Sequence, residues 1–184
     1  MKLNFKIAAT AATVALAGCA AMAANPMVGG APMYASKNIV QNAVNSDDHT
    51  TLVAAVKAAG LVPVLEGQGP FTVFAPTNEA FAALPKGTVD SLLKPENKDK
   101  LSKILTCHVV AGDEMAADLT KMVADGGGMA KIKTVGGCTF TAMVKDAKLE
   151  IKDGQGNIAN VTIADVKQSN GVIHVIDHVL LPAN

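Results

Sequence analysis

An α+β domain is what this sequence predicts, on three observations. Helical periodicity crowds its first half, short β-type runs follow Gly126-Gly127-Gly128, and a strand pattern at Phe71 is expected to join that later sheet. In chain order, Asp47 or Asp48 can cap a helix that carries Leu52, Val53, Val56 and Ala59 on one face, and Gly60 supplies its stop. Phe71 to Ala75 is rich in strand formers. Pro76-Thr77-Asn78 then breaks the strand and offers a cap for a short helix through Phe81. Thr88 before Val-Asp-Ser-Leu-Leu signals another helix, as does Pro95 at a first-turn position before Leu101, Ile104 and Leu105. Ile132 to Val135, Thr139 to Lys145, Leu149 to Asp153, Asn160 to Val166 and Val172 to Leu181 read as strands. Gly136-Gly137 and Asp153 to Asn157 are the turns between them. No internal repeat occurs, so one domain is expected over residues 38–184.

The N-terminus has a different character. Lys2 and Lys6 precede an uncharged apolar run, Ile7 to Ala17, and small residues follow, as in an export signal. That run is about half the roughly 20 residues a spanning helix needs, and nothing comparable comes later. No transmembrane helix is expected. Two cleavage readings stay open. Ala21-Met22-Ala23 fits an ordinary cut that removes residues 1–23, whereas Leu16-Ala17-Gly18-Cys19 fits a lipoprotein signal of residues 1–18, with Cys19 lipidated as an anchor. Either reading places the protein outside the cytoplasm, in the periplasm, at the cell surface or extracellular. Residues 24–37, rich in Pro and Gly, read as a flexible tether.

Composition narrows the function. All 16 basic residues are Lys, aromatics are 3% of the chain and the formal net charge is zero. Without guanidinium forks, and with few rings to stack on bases, nucleic-acid binding is not expected. Cys107 and Cys138 are an even pair in an exported chain, which favours a disulfide; two buried free thiols are the alternative.

Two segments carry a family resemblance. Phe71-Thr72-Val73-Phe74-Ala75-Pro76-Thr77-Asn78-Glu79-Ala80-Phe81 resembles the first signature of fasciclin domains. Asn170-Gly171-Val172-Ile173-His174-Val175-Ile176-Asp177-His178-Val179-Leu180-Leu181-Pro182 resembles the second. Leu101 to Gly112 is similar to the family's intervening motif, with Cys107 where that motif has Tyr. The resemblance spans about residues 38–182 and implies a wedge-shaped β-sandwich flanked by short helices. It also implies adhesion or partner binding at cell surfaces or in matrix, without general catalytic activity. By that resemblance Cys107, His108, Val109 and Val110 form a candidate interaction segment. Phe74, Pro76, Thr77, Asn78, Phe81, Asn170, Gly171, His174, Asp177 and Pro182 are read as structural signature positions. Phe71, Val73 and Ala75 fall on one strand face and Thr72 and Phe74 on the other, as in a strand covered on both sides.

No chemistry outweighs this reading. His174 and His178 on one strand would stand roughly 13 Å apart, too far to share an ion, and the later cysteines lack CxxC spacing, so no metal site is expected. If Cys107-His108 is extended, the two side chains face apart and cannot act as nucleophile and base. There is no G-x-S-x-G and no P-loop, and the glycine run lacks dinucleotide spacing, so no enzyme activity or cofactor is expected. The expectation is an exported, non-catalytic binding or adhesion module of the cell envelope or its surroundings. A periplasmic carrier of a small apolar ligand, held between sheet and helices, is the alternative.

Overall fold

The structure, a computed structural model, describes residues 25–183. A short hairpin, β1 (Met27–Val28) and β2 (Ala31–Pro32), precedes α1 (Ile39–Ala43). A 3-10 turn, Asp47–His49, leads into α2 (Thr50–Ala59), and α3 (Val62–Leu65) follows. Next come β3 (Phe71–Pro76), α4 (Asn78–Ala82), α5 (Thr88–Leu92), α6 (Lys98–Cys107) and β4 (Val109–Ala111). The rest is α7 (Ala116–Asp125) and five strands: β5 (Met129–Lys133), β6 (Thr139–Lys145), β7 (Lys148–Lys152), β8 (Ile158–Gln168) and β9 (Gly171–Ile176).

Seven strands form one mixed sheet in the order β4-β3-β9-β8-β7-β6-β5. Only β3 and β9 pair in parallel; every other neighbour in this sheet is antiparallel. The long strand β8 belongs to two halves of the sheet. Its first residues pair with β7 and its later ones with β9, and register shifts between Val161 and Val166 bend it between the two. The folded-over sheet nearly closes on itself, because the Val135 amide, just past β5, donates to the Val109 carbonyl of the opposite edge strand at 2.7 Å.

That bend makes two cores, and β3 serves both. Val73 and Ala75 face helices α1 to α6, whereas Phe74 faces the space between the sheet halves, with Phe140, Ile151 and Ile176. Alternation along one strand therefore builds the α+β class from both sides, as the period-2 pattern at Phe71 to Ala75 predicts.

Two local expectations change, and one helix, α7, goes beyond them. Residues 25–37 are not an open tether: Val28 and Met33 are 4% and 2% exposed and belong to the helix-side core. Burying two apolar side chains outweighs the Pro and Gly content. Gly29, at φ 54, turns the hairpin against the 3-10 turn, where a Cβ would collide with Ser46 Oγ. The Cys107-His108 pair is not extended, since Cys107 ends α6 and His108 is its C-cap in helical geometry. Finally, α7 has no strong capping residue before it in sequence. The acceptor for its first amide, Ala116 N–H, is Asp165 Oδ1 at 2.7 Å, from the bend in β8.

Candidate functional site

A cavity of about 70 Å³ lies on the helix side of the sheet, between α1, α2 and α3 and the face of β3 and β9 that carries Val73, Ala75 and Ile173. The docked hairpin contributes Val28 and Met33 to its wall, and α6 contributes Leu105. Exposed lining residues Lys57, Val64 and Val135 mark where it meets solvent. Its walls are apolar apart from Ser46, His49, Lys57, Thr106 and His108. One water needs about 10–15 Å³ of such space, and an apolar cavity of about 150 Å³ encloses benzene, so this one admits a small apolar group.

His49 stands in that wall, 3% exposed, where the 3-10 turn meets α2. Its Nδ1 is 2.8 Å from Ser46 Oγ, and Nε2 has no hydrogen-bond partner among the described residues. Burial lowers its pKa, against an opposing influence from the Ala75 backbone, which makes no hydrogen bond with the ring. The imidazole is accordingly neutral near pH 7.

The segment Cys107, His108, Val109 and Val110 does not offer its side chains to a partner: they are 0%, 2%, 6% and 7% exposed. Cys107 is joined to Cys138, with Cα atoms 5.4 Å apart, and this bond ties the end of α6 to the turn between β5 and β6. Val109 and Val110 point into the two different cores. His108 Nδ1–H donates to the Ile104 carbonyl at 2.9 Å, and Nε2 accepts the Leu180 amide at 2.9 Å. Burial lowers its pKa to about 4, against the raising influence of the Ile104 carbonyl and Asp153.

The other signature positions also hold backbone. His174 Nδ1 accepts the Asp165 amide at 3.3 Å and Nε2–H donates to the Glu114 carbonyl at 2.8 Å, while the ring stacks on Phe74 at 5.7 Å. Asn170 Oδ1 accepts the Ile39 amide at the start of α1, and its Nδ2 donates to the Leu65 and Gly67 carbonyls. Gly171, at φ 149, lies so close to β3 that a Cβ would collide with the Phe71 carbonyl. Asp177 accepts from the Asn160 amide and side chain, both at 2.7 Å. Partial burial pushes its pKa up, but hydrogen bonds from His178 and Asn160 outweigh that and leave it lowered. Thr77 caps α4 through the Ala80 amide at 3.3 Å. Asn78 instead accepts the Thr51 amide at 3.0 Å, capping α2, and donates to the Asp47 carbonyl. Pro76 and Phe81 are buried, and Pro182 is half-buried beside Gly154.

Sequence reasoning missed Asp153 and the buried pair of Ser46 and His49. Buried Asp153 accepts the Gln155, Asn157 and Leu181 amides, so it shapes its own turn and grips the C-terminal segment. An Asp that opens a Gly-rich turn is a local signal for the first two bonds. The third depends on the segment that follows β9, 28 positions along the chain. Among the described residues no three His, Cys, Asp or Glu side chains gather as a metal site would require. Cys19 lies outside the described residues.

Comparison with known proteins places this architecture. A family model for the Fasciclin domain matches residues 47–182. The chain is similar to protein sll1483 of Synechocystis, 49% identical over 92% of this chain and 87% of that one. It is similar to the immunogenic protein MPB70 of Mycobacterium bovis at 33% identity over 99% of both chains. Against the transforming growth factor-beta-induced protein ig-h3 of Sus scrofa, identity is 39% over 71% of this chain but 17% of that longer protein. In fold it resembles a FAS1 domain pair from the insect cell adhesion molecule fasciclin I, with a TM-score of 0.70 at 19% identity, over 79% of this chain and 51% of that one.

Proposed function

This chain belongs to the fasciclin domain family, and from that membership we propose that it is an exported, non-catalytic binding module acting at the cell envelope or outside the cell. The observation that carries the reading is how the signature side chains are used. His108, His174 and Asn170 spend their hydrogen-bonding groups on backbone, Asp177 holds the Asn160 amide and side chain, and His108 and His174 are fully packed. Groups so committed hold a scaffold and are not free to attack a substrate or carry a proton to one. Likeness to a domain pair from a cell adhesion molecule supports the same reading. An affinity pull-down of the tagged mature protein from envelope extracts tests it. Recovery of one saturable partner supports adhesion or docking, and turnover of a substrate by the purified protein sinks the non-catalytic reading.

The apolar cavity favours a second reading, in which the domain carries a small apolar ligand. Native mass spectrometry of protein purified from its own envelope tests it. A released small molecule of defined mass supports the carrier, and a bare polypeptide mass counts against it.

A further inference from the structure

The cavity is apolar but not uniformly so, and the polar groups in its wall differ in what they have left to offer. Thr106 Oγ1 donates to the Ser102 carbonyl at 2.7 Å, within its own helix. His108 has both ring nitrogens engaged. Lys57 is exposed and stands at the rim. Ser46 and His49 are buried and paired with each other. That leaves His49, whose buried Nε2 has no hydrogen-bond partner among the described residues, as the lining side chain with a hydrogen-bonding capacity still unused.

Its proton can be placed by counting. If Nδ1 carried the hydrogen, it would donate to Ser46 Oγ, and two groups would go without partners among the described residues: the Ser46 hydroxyl proton and the Nε2 lone pair. If Ser46 donates to Nδ1, one donor alone is left over, Nε2–H. Each unpaired buried polar group is costly, so the second arrangement is the stable one.

We propose that the cavity binds the apolar end of a small uncharged amphiphile, and that Nε2–H of His49 donates a hydrogen bond to an oxygen acceptor on it. This rests on the carrier reading above and names the ligand chemistry. The volume of about 70 Å³ takes a short branch or chain end, with the remainder extending past Val64 and Val135 to solvent. A carboxylate is disfavoured, because an ionised group would be carried into a wall built almost wholly of carbon. A ketone, ester or ether oxygen has the acceptor without the charge.

The test uses the mature protein and two ligands of matched shape, 2-hexanone and 2-methyl-1-hexene, which differ in having C=O or C=CH₂ at the same position. Binding is read from the methyl resonances of Val56 and Ile173 and from the ring nitrogen resonances of His49. Both compounds are expected to shift the methyls. The ketone should bind about fivefold to tenfold more tightly and also shift the Nε2 resonance, the gain one such hydrogen bond gives. His49→Leu should abolish the preference for the ketone over the alkene. Equal affinity of the wild type for both compounds overturns the role of His49 while leaving the cavity as an apolar site, and it needs no variant to fold. Failure of both compounds to shift either methyl overturns the cavity as a site and with it the carrier reading.

Discussion

The Leu180 amide donates to Nε2 of His108 at 2.9 Å, across 72 positions of sequence. The next amide, Leu181 N–H, goes to Asp153 Oδ2 at 3.0 Å. Together they hold the segment that follows β9 against the end of α6 and the turn after β7. The bond requires an unprotonated Nε2, so the imidazole must stay neutral for the segment to stay down.

That requirement gives stability a pH dependence. Burial lowers the His108 pKa from 6.5 to about 4, so between those values the unfolded chain takes up a proton that the folded one refuses. The stabilisation is therefore complete above about pH 6.5 and is lost as pH falls through about 4. The interval corresponds to roughly 3 kcal/mol, and His174 and His49, lowered by burial as well, act in the same direction. Urea unfolding at pH 7 and pH 4 checks this. His108→Gln should be less stable at pH 7 by about 1–3 kcal/mol and should lose less between the two pH values than the wild type does. An unchanged difference would show that His108 is not the group responsible.

Asn78→Ala should destabilise the domain through a helix that does not contain it. The substitution removes the acceptor for the Thr51 amide and the donor to the Asp47 carbonyl, at a cost of about 1–2 kcal/mol. In a domain of this size the midpoint should drop by roughly 2–4 °C per kcal/mol. Amide exchange localises the effect: faster exchange at the start of α2, with α4 less affected, is the expected pattern, and the reverse would return the cap to α4.

Cys107 and Cys138 close a loop over 31 residues of separation, for which the chain-entropy estimate is roughly 3–4 kcal/mol. Non-reducing peptide mapping of envelope-purified protein should find the bridge. The double variant Cys107→Ala/Cys138→Ala should melt several degrees lower than the oxidised wild type, and two free thiols in native protein would refute the bridge.

Removing residues 25–36 should cost more than trimming a linker does. Val28 and Met33 are buried, and full burial of such side chains contributes about 1.5–3 kcal/mol each. A chain beginning at Lys37 should therefore unfold at clearly lower urea concentration. An unchanged midpoint would restore the flexible-tether reading.

Intact mass of the mature protein decides between the two export readings. The Leu16 to Cys19 pattern predicts a diacylated or triacylated chain beginning at Cys19, whereas an unmodified N-terminus at Ala24 would establish simple secretion.

Features that depend on neighbours in the chain were legible before any fold was known. Gly60 stops α2 in the left-handed region at φ 73, a cap at Thr77 or Asn78 starts α4, and the alternation of Val73 and Ala75 against Phe74 assigns two faces to β3. Each follows from a period, a cap or a turn that a few consecutive residues complete. Which remote side chain serves which helix was set by packing alone. Asn170 caps α1 from 131 positions away, Asp165 caps α7 from 49, and Asn78 caps α2 from 27. The docked hairpin, the near-closure of the sheet at Val135 and Val109, and the cavity with His49 in its wall are of the same kind. A hydrogen-bonding side chain read from sequence shows a capacity but no address, and the address is set when packing brings a distant, otherwise unpaired backbone group within about 3 Å of it.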